Sequence, residues 1–284
     1  MTRHPLTSLT LWHALQHPND RTPLYVRLRL GYNRYYGWAS RDFNLGTMLF
    51  IALNILIAPL FGLIPILTIF VFSPIWAGQI AGDIQQEHSQ GRFDLLALLP
   101  AGAIATCWTL SVLVIRKSST FEYIFQYILD GLRVTMILGG MILLILAAIV
   151  LVAVTAPSSV DSVNGWQLTG LMVALAAALI SVYLQQIQAV VLSQLIGMSI
   201  PQLTGNPTQA RTWAFAVNLG VLVAIYVGVL IPVIALPVGG GWRLLIVSVV
   251  LVLVYEGLII LLWGHLQHDF GQPDLSKLST LEEF

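Results

Sequence analysis

Charge is what this chain has least of. Only 9% of its 284 residues are Asp, Glu, Lys or Arg, against 57% hydrophobic residues, and the mean hydropathy is +0.83. Water-soluble domains carry about 25% charged residues, so that class is excluded and a multi-pass membrane protein is indicated. Cysteine is nearly absent as well. The single Cys107 excludes an internal disulfide and is read as a packing residue. No G-x-x-x-x-G-K-[ST] loop occurs, so the chain has no phosphate cradle with which to hydrolyse ATP. Histidine is missing from every long apolar run: His4, His13, His17, His88, His265 and His268 all fall outside them. Bis-histidine haem ligation and intramembrane serine–histidine catalysis therefore have no residues to use. His265 and His268, without a carboxylate or thiol cluster, are weak metal evidence and read as interfacial. No metal or cofactor is expected in the chain. The formal net charge of zero gives no reason to expect nucleic acid as a partner.

Apolar runs occupy 45–81, 132–155, 167–192, 212–236 and 243–264. As a single helix the first run, 37 residues long, would extend about 55 Å, far beyond a hydrocarbon core of about 30 Å. Pro59, Gly62 and Pro65 lie near its middle, where a missing donor and unusual dihedrals suit a hairpin. The expected fold is therefore all-α, a polytopic bundle of six transmembrane helices over 45–264 in one domain. Segment 1–44 is read as cytoplasmic and interfacial, and 265–284 as a cytoplasmic tail. Residues 102–115 are apolar but short for a crossing, which predicts an interfacial or re-entrant segment.

Positive charge sets the expected orientation. With both termini inside, twelve of the thirteen Lys and Arg residues face the cytoplasm, among them Arg92, Arg116, Lys117, Arg133 and Arg211, and only Arg243 is exported. Trp166 and Trp242 then open spans at the outer surface, with Trp213 and Trp263 at inner ends, as amphipathic rings prefer. Residues 24–41 interleave Arg27, Arg29, Arg34 and Arg41 with Tyr25, Tyr32, Tyr35, Tyr36 and Trp38. That pattern predicts an amphipathic helix in contact with membrane lipids, guanidinium on phosphate and rings at the boundary.

The stretch Asp83 to Pro100, D-I-Q-Q-E-H-S-Q-G-R-F-D-L-L-A-L-L-P, is a polar insert directly after an apolar run. Its first part extends the second span as helix, Gly91 breaks it, and Phe93, Leu96, Ala97 and Pro100 line one face of a second short helix. Glu87, Arg92 and Asp94 project from this elbow toward water or a docked protein. In its order of a glutamate, a glycine, a leucine pair and a proline, the insert resembles the cytoplasmic segment after the second span in permease subunits of type-2 ABC exporters. Glu87 matches the acidic position, Gly91 the glycine, Leu95 and Leu96 the pair, and Pro100 the proline, while Arg92 stands where the family often has threonine. The stretch 193–212 looks like the family's connection between fourth and fifth spans. The resemblance implies a coupling elbow to a separate ABC-type ATPase subunit that binds ATP and Mg. It also implies a second permease subunit and residence in the cytoplasmic membrane.

Glu256 is the one acidic residue well inside a span, and a carboxylate there costs roughly a few kcal/mol. Gln185, Gln186 and Gln188 of the fourth span are its expected partners, as a substrate or proton site or as a structural hydrogen bond. Gly220, Ala224 and Gly228 form a small-residue stripe, suited to close packing within the chain or across a dimer. The competing class is a non-transporting structural subunit of a larger respiratory or photosynthetic membrane complex.

Overall fold

The structure, a computed structural model, describes residues 7–16, 68–93, 102–117, 165–235 and 240–269. The whole of the expected first span and of the third, the hairpin between the first and second, the 24–41 segment, the outer loop at 156–164, and Asp94, Leu95, Leu96 and Pro100 of the elbow lie outside the described residues. Every regular element among those described is helical: α1 (Ser8–Gln16), α2 (Ser73–Ser89), α3 (Gly102–Lys117), α4 (Gly165–Ser199), α5 (Pro207–Ala235) and α6 (Gly240–Asp269). Three stretches are long and apolar enough to cross a membrane, Ile180–Leu203, Pro207–Ala235 and Leu245–His268. The protein is thus a membrane protein that is helical throughout its described residues, with three such helices among them. At 16 residues, α3 is apolar but short for a crossing.

Local chemistry explains the element boundaries. Thr7 caps α1: its hydroxyl accepts the Thr10 N–H at 3.4 Å, and the Thr10 hydroxyl returns a 2.7 Å bond to the Thr7 carbonyl, a reciprocal arrangement that satisfies donors a helix start leaves open. A π-helical turn, Thr68–Phe72, leads into α2. Pro74 has no N–H to send to the carbonyl of Phe70, so a regular α-turn cannot close there and the wider turn takes its place. Asn206 starts α5, accepting the Thr208 N–H at 2.9 Å, with Pro207 at the first helical position, where its missing donor costs nothing.

Several boundaries differ from the sequence reading: α5 begins at Pro207, not 212, and α6 at Gly240, not 243. The fourth span was expected to end at 192, yet α4 continues to Ser199 before a short 3-10 turn, Ile200–Leu203. Its polar residues bond back along the helix, Ser193 to the Val190 carbonyl at 2.7 Å and Ser199 to the Leu195 carbonyl at 2.9 Å, so they do not interrupt it. The break between the fourth and fifth spans therefore shrinks to 200–206. At the other end of the chain α6 runs to Asp269, past the expected limit at 264.

The bundle is built as two helix pairs. α6 lies along α4, and α5 lies along α2; the pairs join mainly where α2 meets α4. In its apolar window α4 is 72% buried, against 28% for α5 and 22% for α6, which makes α4 the central helix. Glycine permits the closest approaches. A Cβ on Gly197 of α4 would stand 2.8 Å from Ile80 Cβ and 3.0 Å from the Ala77 carbonyl of α2. Gly78 and Gly82, four apart on α2, face α5, where a Cβ on Gly78 would stand 3.0 Å from the Arg211 carbonyl and the Arg211 side chain lies across Gly82. Trp263 is buried and meets Trp108 edge-on with ring centroids 6.0 Å apart, so it packs α6 on α3. Trp213 and Trp242 are exposed. Gly220, Ala224 and Gly228 are exposed too, and nothing lies within 4 Å of a Cβ built on either glycine, so the stripe serves no packing among the described residues.

Candidate functional site

Two polar regions interrupt the apolar bundle. The first is the end shared by the C-terminus of α2 and the N-terminus of α5. α2 stays helical through the polar residues to Ser89, and Gln90 and Gly91 close it with bonds to the Gln86 and His88 carbonyls. Gly91 has φ +66 with nothing near its would-be Cβ. Backbone conformation, not crowding, is therefore what calls for glycine there. Beyond it Arg92 and Phe93 turn helical again, with Phe93 buried and stacked on His88 at 4.3 Å. The break expected at Gly91 is present. The expectation that Glu87 and Arg92 reach outward is modified, because Arg92 Nη1 lies 3.9 Å from Glu87 Oε1 and the glutamate side chain is only 18% exposed. Across the helix pair, Arg211 Nη2 donates to Asp83 Oδ1 at 3.1 Å. Both pairs are open to water and contribute at most about 1 kcal/mol each; their consequence is geometric, tying the elbow to α5. A groove of about 330 Å³ lined by Ile200, Leu203, Thr204, Trp213 and Val217 opens where α4 gives way to α5.

The second region surrounds the buried glutamines of α4. Gln188 and Glu256 do meet: the amide Nε2 donates to Glu256 Oε2 at 3.1 Å and to the Val252 carbonyl at 3.2 Å. Gln185 turns elsewhere, accepting the Tyr226 hydroxyl of α5 at 2.9 Å. Gln186 is buried in the same turn without bonding the carboxylate. Further along, Gln194 donates to the Ser111 hydroxyl of α3 at 2.7 Å. The Ser73 hydroxyl of α2 is shared between the Ala189 carbonyl at 3.0 Å and Asn218 Oδ1 of α5 at 3.2 Å. Among the described residues Gln188 Oε1, Gln194 Oε1 and Asn218 Nδ2 are buried with no partner, so this interior is polar but incompletely satisfied, which native proteins resolve with water or a ligand.

The partner that sequence reasoning missed is α1. Its first helical N–H, at Ser8, donates to Glu256 Oε1 at 2.7 Å, while Leu11, Trp12 and Leu15 are buried as α1 packs on α4. The carboxylate thus sits at a helix N-terminus, where negative charge is stabilised. Two signals were present in the sequence: a capping pair at Thr7 and Thr10, and apolar residues at i, i+1 and i+4 that mark one helix face. Gly78-x-x-x-Gly82 was likewise readable as a close-packing motif. No known protein family, curated protein or solved structure matches the chain.

Proposed function

We propose that this chain is the membrane-spanning permease subunit of an ATP-driven exporter of the type-2 ABC kind, seated in the cytoplasmic membrane with both termini inside. A separate ATPase subunit binds ATP and Mg and supplies the energy, and a second permease subunit completes the translocator. The observation that carries the reading is the elbow: a rigid α2 reaching Ser89, a left-handed glycine at Gly91 and a helical restart at Arg92. A coupling element must transmit displacement to the spans, and this one is attached for that purpose. Gly78 and Gly82 bring α2 against α5, and Arg211 bonds Asp83 beside them. The exposed stripe of Gly220, Ala224 and Gly228 offers the second subunit a face that a helix can approach closely.

Affinity purification of the full chain in mild detergent tests the proposal. A Walker-A ATPase is expected to co-purify, and Glu87→Ala is expected to leave insertion intact, since a partly exposed side chain costs little stability, while lowering the ATPase activity of the reconstituted complex several-fold. Leu95→Pro is expected to lower it further by breaking the second short helix that the sequence pattern predicts there. If no ATPase binds, or if both variants insert and keep full activity, the exporter assignment falls and the structural-subunit reading replaces it.

A further inference from the structure

The contact between α1 and Glu256 joins residues 248 positions apart and places a short amphipathic helix at membrane depth. His265 lies nine residues beyond Glu256, about 13 Å along the helix, so the carboxylate is far from the end of α6. A carboxylate at such depth is stable only with donors around it. Glu256 has two, and they differ in kind. Gln188 is fixed on the central helix; the Ser8 N–H arrives on a separate nine-residue helix that packs through Leu11, Trp12 and Leu15. On the amide that bonds the carboxylate, Gln188 Oε1 is an acceptor with no donor, in a side chain 2% exposed.

We propose that Glu256 and Gln188 form a binding site for a cationic N–H donor, an alkylammonium group, and that α1 occupies this site in the present structure as a resident ligand. The acceptor set fits the ligand. An ammonium offers three N–H donors, and the site offers the two carboxylate oxygens of Glu256 and an amide oxygen with no donor. The two occupants compete, because each brings an N–H group against Glu256 Oε1. With α1 docked, the site is closed to ligand; with α1 released, the carboxylate is left short of a donor and the ammonium restores it. The proposal needs no ATPase and stands apart from the exporter reading.

Ser8→Pro isolates the contact. Proline lacks the N–H that Glu256 accepts, yet the first helical position tolerates it better than any other, so α1 stays helical while its link to Glu256 is lost. The full-length protein in lipid nanodiscs is followed by amide hydrogen exchange of residues 11–15 and by titration with n-butylammonium. A hydrogen bond to a charged group is lost, so exchange in α1 is expected to quicken by about tenfold to hundredfold. Because only the undocked population binds, butylammonium affinity is expected to rise by a similar factor. Leu15→Asp, which expels the buried face of α1, is expected to reproduce the gain, and Glu256→Gln is expected to abolish binding in either background. In the wild type, saturating butylammonium is expected to raise exchange in α1 alone. The proposal is overturned if neither Ser8→Pro nor Leu15→Asp improves binding, if Glu256→Gln binds as well as the parent, or if bound butylammonium leaves α1 protected.

Discussion

Gly197→Ala is the sharpest test of how the two helix pairs are joined. The added Cβ would stand 2.8 Å from Ile80 Cβ, 2.9 Å from Ile80 Cγ2 and 3.0 Å from the Ala77 carbonyl oxygen, where carbon atoms prefer about 3.5–4.0 Å. None of these neighbours can step aside. The carbonyl is backbone, the isoleucine atoms lie next to it, and Ala77 and Ile80 are both fully buried. α2 and α4 must separate locally, an overpacking cost of about 1–3 kcal/mol, against which alanine regains up to about 1 kcal/mol of helix propensity. The net expectation is a loss of about 1–2 kcal/mol. Two other glycines serve as controls. At Gly82 the obstruction is the Arg211 side chain, which is 53% exposed and can swing away, so Gly82→Ala forfeits only the Asp83 pair, under about 1 kcal/mol. At Gly220 nothing lies within 4 Å, so Gly220→Ala is expected to be neutral or slightly stabilising in the monomer. Equilibrium unfolding in mixed detergent micelles ranks the three. A Gly197→Ala protein as stable as Gly220→Ala would refute the close α2–α4 contact and the central position of α4 with it.

Ser73→Ala removes the donor that bonds Asn218 Oδ1, leaving an amide whose Nδ2 is already unpartnered with no hydrogen bond at all. A loss of about 1–3 kcal/mol is expected, and Ser73→Ala combined with Asn218→Leu is expected to recover part of it, a non-additivity that the same unfolding assay reads. For orientation, a membrane-impermeant thiol reagent applied to cells carrying a Cys107→Ala background is expected to label Ser159→Cys and miss Ser118→Cys; the reverse pattern would invert the topology and remove the exporter reading.

What the sequence revealed follows from which physical signal dominates each segment. α5 and α6 were legible because their apolar runs, 212–236 and 243–264, are long enough to cross a membrane, although the helices begin earlier, at Pro207 and Gly240. The end of α4 was misplaced because serine and glutamine read as loop residues in a propensity scan. In a membrane interior they bond to carbonyls three and four residues back or to a neighbouring helix, and the helix continues. The link between Gln188 and Glu256 was readable from depth alone, since both lie at similar heights on adjacent spans. The link to Ser8 was not. A nine-residue helix has too short a pattern to announce its docking site, and no local rule connects residues so far apart in sequence. Gly91 was legible as a break for the reason the structure gives, a positive φ.

Between helices surrounded by lipid, the hydrophobic effect supplies no preference for one face over another, so packing and hydrogen bonds must set the register. α4 shows how. Its Gln185 reaches α5, Gln188 reaches α6, Gln194 reaches α3, and the Ala189 carbonyl receives Ser73 of α2. Turning α4 by one residue, about 100°, would break all four at once, so the central helix has one allowed rotation. The pairs around it are less constrained. α5 meets α2 along its length but touches α4 and α6 much less, and the bond from Tyr226 to Gln185 is its one described side-chain hydrogen bond to α4. Gly78 and Gly82 bring α2 against α5, and Gly197 brings α4 against α2. In the proposed exporter, force arriving at Glu87 and Arg92 therefore moves α2 and α5 together. The motion pivots where Gly197 meets Ala77 and Ile80, with the short break at 200–206 taking up the change between α4 and α5. A bulky residue at Gly197 would then impair coupling as well as stability, and Gly82→Ala, which loosens only Arg211, would impair neither by much.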